Sequence, residues 1–362
     1  MKRIEPEKMK KGFTLIELMI VIAISAIILL GAFSFFTRQQ TVFDQQSEQA
    51  EKQANLRIAL YYLAKDIALA GYTGTPWGVE AAIKSANQAG VSIPIRPLKH
   101  IDVATDPELS SYLLLNRNSE PLDAIEVWAN FNETGAYTHL SGSVNMGASS
   151  LYANTVEDGI FVSQIWDEAT SATKEVNPTG AVIGSYSKMG DYLPISSIDK
   201  GGKQINSSGV SLNRYYGGDM DVVAPVLKRR YFVREYGDCP GPRCERWLIQ
   251  RSYYADGPVD NRMAMGIQDF QIFYDLTDPG SGQFVVEVDP ALADSPFDSF
   301  DPCWVTAVTI RLQAIVRTKD LPQPLITNLS RKIKVMNIGV QSDLANCTCP
   351  IGDPDCASFA GP

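Results

Sequence analysis

From Phe13 to Phe36 the chain carries a single ionisable side chain, Glu17. No proline interrupts this run, and Gly31 is its one glycine. About 20 apolar residues in a helix rising ~1.5 Å each are enough to cross a bilayer. A stretch of this kind has to be helical, because lipid offers its backbone no other hydrogen-bond partners. A carboxylate placed inside it costs ~2.5–3.5 kcal/mol on insertion scales, so Glu17 needs a partner and a reason to be there. A carboxylate snorkelling to the headgroups is the plainer alternative.

The residues before the run are basic. Lys2, Arg3, Lys8, Lys10 and Lys11 outnumber Glu5 and Glu7. Lys and Arg set topology, so the N-terminus is expected to stay cytoplasmic and everything after Phe36 to face the periplasm. A secretory signal peptide would have a shorter apolar core and a small-residue cleavage site behind it. Here the apolar run flows into more helix-forming sequence. The natural place for a cut is therefore in front, between Gly12 and Phe13. Such a cut would put a new α-amino group on Phe13, one helical turn from Glu17. An ordinary signal-anchor helix would explain neither Gly12-Phe13 nor Glu17.

This combination, Lys10-Lys11-Gly12 followed by Phe13-Thr14-Leu15-Ile16-Glu17 and an apolar helix, resembles the class III signal of type IV prepilins and type II secretion pseudopilins. The resemblance implies cleavage by prepilin peptidase after a leader of residues 1–12. It also implies methylation of the Phe13 amine, which stays cationic. Glu17 would then pair with that amine within one subunit, or with the Phe13 amine of a subunit already in the filament, setting the axial stagger.

Beyond the membrane-length run, residues 37–55 are polar helix formers and are expected to prolong the same helix. Leu56, Leu60, Leu63, Ile67 and Ala70 then recur on one helical face, and Gly71 supplies the stop. The chain should thus form a transmembrane or filament-core helix over 13–36 and an amphipathic continuation over 37–71. The remainder reads largely as strands bounded by Gly, Asn, Asp and Ser. The runs are 122–131, 159–165, 181–186, 192–198, 222–235, 246–254, 270–276, 284–288, 304–317 and 332–340. Residues 73–118 read as an insertion around one short helix, and 289–302 as a loop. The expected class is α+β and pilin-like: a long N-terminal helix packed on a large antiparallel β-rich region over 72–346. A short cysteine-containing tail over 347–362 completes the chain. The roughly 290 residues after Gly71 allow one large domain or two small ones.

Leu56 to Tyr72, LRIALYYLAKDIALAGY, is similar to the helix end of the PilW family of type IV pilus minor pilins. Met265 to Tyr274, Trp304 to Arg317 and Arg331 to Val340 resemble later strands of that family in order and character. The resemblance implies a minor pilin that joins other minor pilins and the major pilin on an inner-membrane assembly platform. It primes the filament and ends near the tip, beneath a large tip adhesin. A J-like minor pseudopilin of type II secretion is the alternative. A module that itself contacts surfaces or DNA is a second alternative. The chain's formal charge is −9, and removing the leader leaves −12. That balance argues against DNA binding through bulk charge.

All six cysteines, Cys239, Cys244, Cys303, Cys347, Cys349 and Cys356, lie after residue 238. An even count in an exported domain reads as disulfides. Cys239-Pro-Gly-Pro-Arg-Cys244 looks like a loop closed by its own bridge, with the other four pairing among themselves. A zinc site is the rival reading, but the spacings fit it poorly and no histidine is near. His100 and His139 sit in no triad or metal motif and read as solvated. Gly201-Gly202 and Gly217-Gly218 read as turns. Asp275, Asp278 and Gly280 hint at a calcium-holding turn, yet lack the terminal bidentate Glu, so a plain hairpin is preferred. Asp353 and Asp355 in the tail give an equally weak hint. No cofactor and no enzymatic activity are expected, with calcium the one weak alternative. Lys228-Arg229-Arg230 reads as a solvated strand face, and Tyr215-Tyr216 and Tyr253-Tyr254 as core or turn packing.

Overall fold

The computed structural model describes residues 14–72, 98–116, 119–131, 137–156, 160–167, 171–185, 188–207, 212, 215–217, 221–237, 239, 245–277, 284–288, 305–316 and 325–335. Helix α1 runs unbroken from Leu15 to Ala68. It starts on a capping box. Thr14 accepts from the Glu17 backbone, and the Glu17 carboxylate accepts from the Thr14 N–H, so the two ends of the first turn satisfy each other. It is the one helix among the described residues long and apolar enough to cross a membrane. Its apolar half lies entirely exposed, with Leu15, Leu30 and Phe36 all at 70% or more. Thr37 and Thr41 mark the end of that half, and each returns its hydroxyl to a carbonyl three or four residues back. This back-bonding keeps the polar side chains satisfied on the helix itself.

The last turns of α1 do the opposite. Leu56, Ala59, Leu60, Leu63, Ala64 and Ile67 are buried, so the predicted stripe is the packed face. Gly71, at φ +77°, ends the helix in the left-handed region that glycine tolerates best. Its N–H donates to the Trp128 carbonyl at 2.9 Å, and Asn130 N–H donates to the Tyr72 carbonyl at 2.6 Å. The helix end is thereby stitched to a strand rather than left in solvent.

Strands β1 (Leu98–Ile101) and β2 (Ala124–Ala129) come first. Next are β3 (Thr138–His139), β4 (Ser150–Tyr152), β5 (Ser163–Asp167), β6 (Ala172–Val176), β7 (Gly180–Ser185), β8 (Lys188–Asp199) and β9 (Gln204–Ser207). Then come the long β10 (Asp221–Tyr236), β11 (Glu245–Tyr254) and β12 (Gly257–Met265). The described chain closes with β13 (Ile267–Thr277), β14 (Phe284–Val288), β15 (Val305–Val316) and β16 (Leu325–Lys334). All the pairings are antiparallel. A large sheet follows the order β1-β2-β10-β7-β8-β9-β4, with β11 and β12 added on β10 and β3 beside its start. A four-stranded sheet follows β14-β13-β15-β16, and β5-β6 form a separate ribbon.

Two large apolar cores result among the described residues, beside a smaller third that gathers Ile101, Val103, Leu109, Ala124, Phe232 and Ile249. The first joins Leu56, Leu60, Leu63 and Ile67 of α1 to Ile125 and Tyr231 of the large sheet and to Phe270, Ile310 and Leu312 of the small one. The second, without any helix residue, gathers Leu140, Leu151, Phe161, Ile183, Leu193, Ile205 and Tyr216. Strand β10 crosses both. Its first half pairs with β3 and β7, and its second half with β2 and β11.

The architecture is the expected α+β arrangement, with differences in detail. A strand, β1, and a 3-10 turn at Ser110–Tyr112 occupy part of the stretch expected to be an insertion around a helix. Strand β12 lies outside the expected runs, because Gly257–Met265 carries charged and small residues without a clean alternation. The last described strand begins at Leu325, not Lys332. As an edge strand it exposes Ile326, Asn328, Ser330 and Arg331, which hides its period in the sequence. The expected loop at 289–302 and residues 336–340 of the expected final strand lie outside the described residues.

Candidate functional site

At the head of α1, Glu17 Oε2 accepts from both the N–H and the hydroxyl of Thr14, each at 2.9 Å. The Glu17 N–H donates back to Thr14 Oγ1 at 3.3 Å. Negative charge is favoured here by the unpaired N–H groups and the dipole of the helix start. Glu17 Oε1 takes no hydrogen bond among the described residues, so one carboxylate oxygen stays open to a second partner. Gly12 and Phe13 lie outside the described residues, and the expected pairing with the Phe13 amine is not part of what they show. Thr14 is a local partner of Glu17 that the amine pairing alone does not include, although the spacing of the two residues is that of a capping box.

At the other end of the helix sits a charge absent from the expected site residues. Asp66, 3% exposed, lies on the buried stripe of α1. Its Oδ2 accepts from Arg229 Nη1 at 2.8 Å, from Gln250 Nε2 at 3.2 Å, and from the Tyr231 hydroxyl. Gln250 Nε2 also donates to the Tyr231 oxygen at 2.6 Å. Burial pushes the Tyr231 hydroxyl well above its ordinary range, with the neighbouring carboxylate adding to this, so it acts as a donor. Burial opposes the charge of Arg229, but Asp66 together with Tyr231 and Tyr254 offsets it and the guanidinium is held more firmly protonated. A buried carboxylate with three donors from the sheet on one oxygen fixes one register of helix on sheet.

The opposite face of β10 carries a second network. Arg230 Nε donates to Glu126 Oε2 at 2.7 Å and its Nη1 to Glu108 Oε2 at 2.8 Å. Arg251 joins Glu108 Oε1 at 2.9 Å to Asp260, and Tyr253 donates to Glu108 at 2.5 Å. Glu108 therefore pins the 102–112 segment over the outer face of the sheet. Lys228 lies 3.8 Å from the centroid of the Tyr253 ring, and burial pulls its ammonium down from the usual lysine range.

The Lys228-Arg229-Arg230 run is thus not the solvated face expected from sequence. Strand alternation sends Arg229 toward the helix and Arg230 away from it, and each meets carboxylates from distant segments. His100 also departs from expectation. It is half-buried on β1, edge-on to the Tyr274 ring at 6.3 Å, and burial drives its pKa down to about 4. His139 is exposed, as expected, and meets Tyr137 edge-on. Tyr216 is buried and Tyr215 is 49% exposed. Asp275 lies within β13, 2% exposed and ion-paired with Lys332, so that carboxylate is committed to a strand contact rather than a calcium turn. Asp278, Gly280, Asp353 and Asp355 lie outside the described residues, as do Cys244, Cys303, Cys347, Cys349 and Cys356. Cys239 is disulfide-bonded. No cluster of three or more potential metal ligands occurs among the described residues.

A membrane-length helix with one carboxylate on its capped first turn, continuing into a β-rich head, defines a pilin-like α+β protein. Residues 8–33 match the family described as the prokaryotic N-terminal methylation motif. This match and the exposed apolar helix support a type IV pilin or pseudopilin that is anchored in a membrane, processed by prepilin peptidase and assembled with other pilins. No curated protein and no solved structure matches the chain.

Proposed function

We propose that this chain is a minor pilin of a type IV pilus. It is made as a prepilin, cut between Gly12 and Phe13 and methylated on Phe13. It stays in the inner membrane with its β-rich region on the periplasmic side until it joins other minor pilins and the major pilin on the assembly platform. The resulting complex primes the filament and ends near its tip, beneath a large adhesin. The role is structural, and no catalysis is proposed.

One observation carries this reading. The lone carboxylate of the apolar half is held at the first helical turn by Thr14 while its Oε1 remains open. A cationic amine from a neighbouring subunit fits that open oxygen, and burial in lipid or in a filament core would strengthen the pair. The large β-rich region with several cores suits a capping subunit better than a repeating shaft unit.

The test is crosslinking in intact cells, followed by purification and mass spectrometry. The N-terminus is expected at methylated Phe13, with other minor pilins and the major pilin among the crosslinked partners. Recovery with a secretion ATPase and secretin would instead assign the chain to a secretion machine. An N-terminus at Met1, or one beyond Phe36, would remove the basis for a pilin.

A further inference from the structure

The two cores meet at a crevice of about 60 Å³, space for a few water-sized groups. Arg229, Asn130 and Phe131 line it from the helix-bearing side. Ser163, Pro178 and Tyr254 close it from the other, where Pro178 and Tyr254 form an isolated bridge between the β6–β7 connection and the end of β11. Its walls combine apolar surface with donors, the combination that small-ligand sites use, and junctions between packed units are where such sites concentrate.

The donor side is incomplete. Arg229 gives one hydrogen bond, from Nη1 to Asp66, and stacks its guanidinium 4.1 Å from the centroid of Phe131. Its Nε is buried with no acceptor among the described residues. The side chain remains 20% exposed where it lines the crevice. A guanidinium has five N–H donors, so most of this fork is unused. Its charge, however, is already compensated by Asp66. A second carboxylate beside the first would meet repulsion as well as attraction. The acceptor that suits these donors is uncharged, and the apolar walls favour a small alkyl substituent on it.

We propose that this crevice binds a small neutral amide, foremost a terminal acetamido group. The amide oxygen accepts from the Nη donors of Arg229 that Asp66 leaves over, and the methyl lies against the apolar wall. The proposal does not depend on the assembly reading.

The test uses the full chain in detergent micelles and saturation-transfer NMR on the acetyl methyl. The probes are acetamide, N-acetylglucosamine, glucose and acetate. At about 1 kcal/mol per heavy atom, an amide of four or five heavy atoms binds with a Kd around millimolar, so saturation is expected at roughly 1–100 mM. N-acetylglucosamine should give a saturable methyl signal that acetamide competes away, while glucose and acetate do not compete. Arg229→Lys keeps a cation beside Asp66 but loses the fork, and should weaken binding by about tenfold or more. Ser163→Trp fills the crevice from the far side, away from Asp66, and should abolish the signal with circular dichroism unchanged. Acetate competing as well as acetamide would overturn the proposal in favour of an anion site. Wild-type binding by both variants, or no saturable signal from either amide, would also overturn it.

Discussion

Asp66 and Arg229 stand 163 positions apart in the chain and meet at 2.8 Å, one on the helix and one on the sheet beneath it. The pair is central to how the rod is held. Apolar burial along Leu56, Leu60, Leu63 and Ile67 attracts the helix to the sheets but is tolerant of sliding. A carboxylate that must meet Arg229, Tyr231 and Gln250 together is not tolerant.

Asp66→Ala should therefore cost about 3 kcal/mol or more of stability, because it leaves a largely buried guanidinium and a buried hydroxyl without their acceptor. Asp66→Asn keeps an acceptor for Tyr231 and should cost less. Denaturant titration of the full chain in detergent, followed by tryptophan fluorescence, would measure both. Equal stability of Asp66→Ala and the parent would show that packing alone sets the register.

Glu17→Ala should leave cleavage and methylation intact while lowering incorporation into filaments by about tenfold or more, the equivalent of ~1.4 kcal/mol in the assembly equilibrium. Thr14→Ala should have a smaller effect, since it removes the cap, worth ~1 kcal/mol, but leaves the carboxylate. Immunoblots of sheared filaments against membranes give the ratio. Normal incorporation of Glu17→Ala would rule out charge pairing in assembly.

His100 makes stability depend on pH. Its folded pKa of about 4 lies below the ordinary histidine value of 6.5, because burial disfavours the imidazolium. Between those values the unfolded chain binds the extra proton and the folded chain does not. Stability from this site is thus complete above about pH 6.5 and is lost as pH falls toward 4, on the order of 3 kcal/mol in all. His100→Gln should flatten that part of the profile. A slope unchanged by the substitution would place the dependence on other groups.

Gly180 opens β7 directly beneath the Tyr192 ring of β8, and a Cβ there would overlap the ring. Gly180→Ala should destabilise the β7–β8 ladder by roughly 1–3 kcal/mol through overpacking on the face it shares with Val182 and Tyr192, opposite the second core. The first core, which shares no residue with it, should be spared. Hydrogen exchange that speeds up in β7 to β9 but not in β13 to β16 is the expected pattern.

The long helix and its buried face are legible in the sequence because each depends on a local period: an unbroken apolar run, then Leu56, Leu60, Leu63 and Ile67 at helical spacing. Long strands such as β10, β11 and β15 are legible for the same reason. Asp66 leaves a faint signal, since a charged residue falls on the apolar stripe between Leu63 and Ile67. The fate of Arg229 and Arg230 leaves none. Their partners Asp66, Glu126 and Glu108 lie more than 100 positions away, and no local pattern encodes which carboxylate a strand arginine will meet. The crevice at the junction of the two cores is hidden for the same reason.

Strand β10 runs without interruption through both cores, and the end of α1 is fastened to it through Asp66. A pull along the rod enters the head at the middle of that strand. The ladders to β2, β7 and β11 tie that point to neighbours on both sides of the strand. A head wired this way meets load from its helix at a strand that both large cores share.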